Sequence, residues 1–204
     1  MTRARKNAQR KSHTRTLRVM LAGFVAVGAM VLLYPFIPLI LYYLGIEGKP
    51  DPARIASTLV PEGEERKDFN HLVIPKIGVS VPIVEGSSEA ALDRGAWRIP
   101  ETSTPEVGGN TVISAHRFRF LPPNNTTFYL LDKLEVGDEI TVFWKGERYD
   151  YQVGESSVVD KSAVVIQEEK GDTRLTLFTC TPLFSTAQRL AIVAFPVDKG
   201  EIVQ

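Results

Sequence analysis

The chain has a single cysteine, Cys180, in 204 residues. No intramolecular disulfide can form, so the fold has to be held by its hydrophobic core. One thiol and three histidines, His13, His71 and His116, supply no zinc-like ligand cluster. A glycine-rich phosphate loop is also lacking, and with it any nucleotide-binding motif. There is no internal repeat and no low-complexity segment. The formal net charge is zero, but residues 1–18 carry seven basic side chains (Arg3, Arg5, Lys6, Arg10, Lys11, Arg15, Arg18) and no acidic one. Removing those seven leaves 17 basic against 24 acidic groups, a net of −7. An acidic body does not suit nucleic-acid binding, where a basic face supplies most of the affinity.

What is present opens with a long apolar run. Val19–Leu44 is 26 residues without a charge, a helix of about 39 Å. That is enough for a hydrocarbon core of roughly 30 Å, with tilt or a kink at Pro35 and Pro38. It reads as a membrane anchor. A cleaved signal peptide is the competing reading, because Ala26-Val27-Gly28-Ala29 supplies small residues behind the basic head. Cleavage there leaves MVLLYPFIPLILYYLG as an exposed apolar start, which a soluble protein tolerates poorly. An uncleaved signal-anchor is therefore favoured, with the basic head cytoplasmic and the acidic body outside. Tyr34, Tyr42 and Tyr43 suit an interfacial belt or packing against lipid equally well.

The expected organisation is a basic cytoplasmic segment (1–18), the transmembrane anchor (19–44), a linker (45–70) and an extracellular body (71–204). The linker is marked by Gly48, Pro50, Pro52, Pro61, Gly63 and the charge cluster Glu62–Asp68, with a short helix expected around Ala53–Leu59. Beyond it the pattern becomes strands. LVIPKIGVSVPIVEG reads as two; TVISAH, DEITVFW and RYDYQVGESSVV follow, with the polar loop RFRFLPPNNTT after His116. The last two, Leu175–Cys180 and Leu190–Phe195, enclose the loop after the cysteine. Short helical pieces fit Ser88–Asp93 and Phe128–Leu134. Strands at intervals of roughly 8–12 residues argue for an all-β barrel or sandwich.

A free cysteine is more often a small buried hydrophobe than a nucleophile. Against that, Thr179 and Thr181 flank Cys180, and a strand end opening into a loop is where a scaffold exposes working residues. His116 also closes a strand and can act as general acid and base, or supply the positive charge that favours a thiolate. Arg189, on the strand after the cysteine, offers guanidinium donors for an oxyanion or a substrate backbone. A surface salt bridge is the plainer role for an arginine, and Arg174 and Arg148 fit it better. The many carboxylates fall mostly in loops and look solvated.

These residues resemble the sortases, membrane-anchored cysteine transpeptidases of Gram-positive bacteria. The resemblance runs from about Leu72 to Phe195 and is carried by TLFTC at Thr176–Cys180, Arg189 in the next strand and the strand-end His116. LVIPKIGVSVPIVEG, ALDRGAWRIPETSTPEVGGNTVISAHR and FYLLDKLEVGDEITV keep the same order of landmarks. It implies an eight-stranded β-barrel and a two-step acyl transfer on an LPxTG-like sorting signal. In that chemistry Cys180 is the nucleophile, His116 the general acid and base, and Arg189 the support for substrate or oxyanion, with Thr179 helping to position substrate. The partners it implies are sorting-signal-bearing surface proteins or pilins, with an amine acceptor such as lipid II or a pilin lysine.

TCTP and the Gly-Asp segment are similar to the pilus-polymerising branch, which usually has a second membrane segment near its C-terminus. No such segment precedes Gln204, so a single-pass enzyme nearer the housekeeping or small actinobacterial types is expected. Asp51-Pro52 is similar to that branch's lid, although Ala53 replaces an aromatic; whether the linker folds over the site stays open. Glu168 and Glu169 lie where some relatives place a calcium-responsive loop. Two adjacent glutamates are more often a solvated turn, and no cofactor is expected. The alternatives to transfer are a tethered thiol hydrolase using the same three residues, or a surface β-domain that binds a partner with Cys180 structural.

Overall fold

The charge-free run forms helix until proline interrupts it. In the computed structural model, which describes residues 3–46, 48–119, 126–162, 166–168 and 171–197, α1 spans Arg3–Leu33. One 3-10 turn, Tyr34–Phe36, carries Pro35, and α2 spans Ile37–Leu44. Proline lacks the N–H that would continue the ladder and crowds the preceding turn, so the expected break falls there. By length and composition Arg15–Leu44 suffices to cross a membrane. The chain divides into two compact units, Met1–Ile37 and Pro38–Gln204. Within the second, Leu39 and Tyr42 of α2 pack against the barrel core, and Lys133 Nζ sits 5.7 Å from the centre of the Tyr43 ring. Tyr42 therefore has protein neighbours, where the sequence suggested lipid or its interface.

Eight strands follow: β1 (His71–Ile74), β2 (Val79–Val84), β3 (Ala96–Arg98), β4 (Asn110–Ser114), β5 (Glu139–Trp144), β6 (Glu147–Asp160), β7 (Arg174–Thr181) and β8 (Gln188–Pro196). They close into a barrel in the order β1-β2-β3-β4-β7-β8-β6-β5. The β2/β3 and β4/β7 pairs are parallel and the others antiparallel. Closure leaves no free sheet edge. The alternation of β-branched and polar residues that marked the strands fills the interior with Leu72, Ile74, Val81, Ile113, Ile140, Leu175, Leu177 and Ile192, all fully buried. A smaller apolar cluster on the outside of the barrel joins Phe178 and Ala191 to Trp97, Val112 and Ile166.

Four elements differ from or sharpen the sequence reading. β3 is only three residues and carries too short a pattern to be read locally; it is held by pairing with Ile83–Val84 and Ile113–Ser114. The two helical pieces are 3-10 turns, Glu89–Asp93 and Leu131–Lys133. The linker helix is α3, Pro52–Leu59, capped by Asp51, whose carboxylate accepts the Ala53 N–H at 2.9 Å. Its Ile55 is buried against Val73 of β1 and Phe143 of β5. In the barrel order β7 lies three strands from β5 and four from β1. The Asp51-Pro52 segment is thus a capped helix on the far side of the barrel from Cys180.

Candidate active site

Side chains on β7 alternate between the two faces. Leu175 and Leu177 point into the barrel, Phe178 points out, and Cys180 follows Phe178 on the outer face. In the antiparallel β7/β8 ladder Cys180 pairs directly with Arg189, which sets their Cβ atoms about 5 Å apart on one face. On the other side of β7, the parallel ladder to β4 runs from Asn110↔Arg174 to Ser114↔Phe178. Every pair in it is 64 residues apart. Two residues further on, the same offset sets His116 beside Cys180, with neighbouring strands about 4.8 Å apart. His116, two residues past the end of β4, Cys180 on β7 and Arg189 on β8 therefore fall in one row.

His116 and Cys180 line a cleft of about 320 Å³ together with Arg117, Phe118, Phe184, Ser185 and Thr186. Cys180 is partly exposed in it. Phe118 and Phe184 meet edge-to-face with ring centres 4.6 Å apart and form an apolar wall beside the thiol. Arg189 donates from Nη1 to the carbonyls of Thr186 and Gln188, both at 3.1 Å. Hydrogen bonds from the Ser162 side chain and backbone hold the Asp160 carboxyl below the usual range, with smaller contributions from the Lys161 and then the Arg189 charge. Arg174 instead pairs with Asp172, and Arg148 with Asp150 at 2.8 Å, so those two take the salt-bridge role the sequence suggested.

His116 is about one-third exposed and lines a second cleft of about 150 Å³ on its other side. There Asp93 Oδ1 stands 3.5 Å from His116 Nε2 and 2.9 Å from Arg119 Nη2. Asp93 closes the 3-10 turn before β3, and sequence alone gives no sign that it meets the imidazole. A carboxylate in that place can fix the ring's orientation.

Thr179 corrects an expectation. It is buried, at 1% exposure, and its hydroxyl donates to the Ala115 carbonyl at 2.7 Å. Strand alternation turns residue 179 to the face opposite Cys180, so Thr179 ties β7 to the end of β4 and does not line the cleft. Removing the donor with Thr179→Val leaves that carbonyl buried without its partner. The expected loss is about 1–3 kcal/mol of unfolding free energy, read by chemical denaturation; unchanged stability would show that the tie contributes nothing. Of the two glutamates near β7, Glu168 presents its backbone carbonyl to Asn110 Nδ2 at 3.1 Å, and Glu169 lies outside the described residues.

A closed eight-stranded barrel with short helices, carrying a partly exposed thiol at the end of β7, defines the class as a closed β-barrel protein. The Sortase domain model matches residues 72–197, more than half of the chain, and the chain belongs to the sortase family. It is 30% identical to sortase D of Bacillus subtilis (strain 168) over 141 residues, covering 68% of this chain and 66% of that protein. It is 30% identical to sortase SrtE1 of Streptomyces coelicolor over 195 residues, covering 83% of this chain and 54% of that one. The chain thus spans about half to two-thirds of the length of these relatives. Among solved structures, the pilus-related sortase C of Group B Streptococcus is similar with a TM-score of 0.58 and 31% identity, covering 74% of this chain and 75% of that one.

Proposed function

We propose that the protein is a membrane-anchored cysteine transpeptidase that cleaves an LPxTG-like sorting signal through a thioacyl intermediate. The row of His116 and Cys180, which line one cleft, with Arg189 paired opposite Cys180 on β8, carries this reading, because acyl transfer needs a nucleophile, a proton carrier and an oxyanion donor in reach of one carbonyl. The Cys180 thiolate attacks the carbonyl carbon of the residue before the scissile bond. The C–N bond breaks, and the departing amine takes a proton from His116. An incoming amine then gives its proton to His116, forms the new C–N bond and expels the thiolate. Arg189, on the β8 side of the thiol, exchanges its loop carbonyls for substrate oxygens, and its fork lets it hold two acceptors at once.

The reading extends to topology and partners. Arg15–Leu44 anchors the chain, the basic head lies in the cytoplasm and the acidic barrel faces the cell wall. Surface proteins or pilins supply the sorting signal, and lipid II or a pilin lysine supplies the amine. A family likeness spread over sortases A, C, D and E1 supports transfer in general. The test is product analysis by the full chain, with a sorting peptide in the presence and absence of triglycine. The expected result is a peptide–triglycine adduct that displaces hydrolysis as the amine is raised. Hydrolysis alone at saturating amine would make the enzyme a thiol hydrolase.

A further inference from the structure

Both proposed catalytic residues stand beyond the last pair of the ladder that aligns their strands. The β4/β7 pairing ends at Ser114↔Phe178, and past it the backbone contributes a long bond, from the Ala115 N–H to the Phe178 carbonyl at 3.4 Å, that stops short of His116 and Cys180. Two side-chain bonds continue the register. Thr179 Oγ1 donates to the Ala115 carbonyl at 2.7 Å, and Arg117 Nη1 donates to Thr181 Oγ1 at 2.9 Å. Both join residues 64 positions apart, the offset of the ladder itself. The neighbours of His116 on either side are thus bonded to the neighbours of Cys180 on either side.

Arg117 is unusual for such a bond. It is 9% exposed, and its other terminal nitrogen, Nη2, donates to Asp132 Oδ1 at 2.8 Å. Its Nε is buried without a partner. Burying a guanidinium this way is costly unless geometry demands it. Here the planar fork spans two acceptors, Thr181 beyond the nucleophile and Asp132 on the 3-10 turn Leu131–Lys133. That turn's approach also holds the histidine, since the Phe128 N–H donates to the His116 carbonyl at 2.9 Å. One short segment, 128–132, therefore braces His116 directly and Cys180 through Arg117 and Thr181.

We infer that Arg117 is a positioning residue for acyl transfer: through Thr181 and Asp132 it sets the place of Cys180 relative to His116. Because reacting groups have to meet within a fraction of an ångström, loosening this brace at Thr181, which does not line the cleft, lowers turnover and leaves the cleft's lining residues in place. The role rests on the reading of Cys180 and His116 as a catalytic pair. A lysine at 117 reaches one acceptor and not both.

The test uses the full chain in detergent with Thr181→Val, Arg117→Met and the rescue variant Thr181→Ser. In Thr181→Val, kcat for transfer is expected to fall about ten- to a hundredfold with KM within about twofold; Arg117→Met should lower kcat by a similar factor, and because Arg117 also lines the cleft its KM is left out of the test. Thr181→Ser keeps the hydroxyl and should stay within about threefold of the parent. The rate of Cys180 alkylation by a neutral reagent gives a second readout, in a cycle with His116→Ala. Thr181→Val should slow alkylation in the parent and add nothing once His116 is gone. Should Arg117→Met fail to fold, Thr181→Val carries the same test. Unchanged kcat and alkylation in a folded Thr181→Val would overturn the inference, as would equal losses with and without His116. If Cys180→Ala or His116→Ala still transfers, the catalytic pair itself is wrong, a failure distinct from that of the brace.

Discussion

Cys180→Ala abolishes transfer, with residual turnover at least about a thousandfold below the parent, and removes labelling of the folded protein by a thiol-directed alkylator. Cys180 is the only cysteine and sits partly exposed at the cleft, at the end of β7. The substitution deletes one atom at a half-open strand end, so the unfolding free energy should change by less than about 0.5 kcal/mol. Activity and stability are thereby separated. Retained function with a folded Cys180→Ala protein, or a parent thiol that resists alkylation, would assign the cysteine to packing and the barrel to partner binding.

Arg189→Lys lowers kcat/KM by about a hundredfold or more although the positive charge remains. Arg189 faces Cys180 across the β7/β8 ladder and already spends Nη1 on the Thr186 and Gln188 carbonyls. A guanidinium has further donors in the same plane with which to engage a substrate carbonyl or its oxyanion, and an ammonium is a single point charge on a differently shaped stem. The lysine variant should keep the fold, because Arg189 is a partly exposed strand residue. Parallel steady-state kinetics on peptide cleavage and transfer check this. Near-parental turnover would remove Arg189 from the chemistry and leave it a tie for the loop after β7.

Much of the fold was readable because its signals are local. The proline break and the short linker helix each depend on residues a few positions apart, and the structure has both near their expected places, whereas α1 begins at Arg3, well ahead of the charge-free run. Seven strands showed an alternating or apolar pattern of adequate length. β3 did not, since three residues between Gly95 and Ile99 take their conformation from the strands beside them. The site divides in the same way. Cys180, His116 and Arg189 stand at strand ends where residue chemistry marks them, but their alignment comes from the parallel β4/β7 and antiparallel β7/β8 registers, which no local pattern encodes. Asp93 and Arg117 enter only through that tertiary arrangement. Thr179 is different: the period-two alternation already placed it on the face opposite Cys180, and its inward hydroxyl could have been anticipated.

The linker shows how a short motif misleads without its surroundings. Asp-Pro before a helix serves as a cap and first turn wherever it occurs, and here Ile55 carries α3 to β1 and β5, across the barrel from the thiol. The open face of the cleft is instead bounded by the Phe118–Phe184 pair and the loop Ser185–Thr186.

The most direct test is intact-mass analysis of the full chain trapped after mixing with a small set of sorting peptides in the absence of amine. A thioacyl enzyme predicts a mass increase equal to the peptide fragment on the N-terminal side of the scissile bond. The adduct should map to Cys180, be lost in Cys180→Ala and discharge when triglycine is added. Peptide cleavage with no adduct on Cys180, or an adduct that triglycine cannot discharge, would contradict transfer through the cysteine.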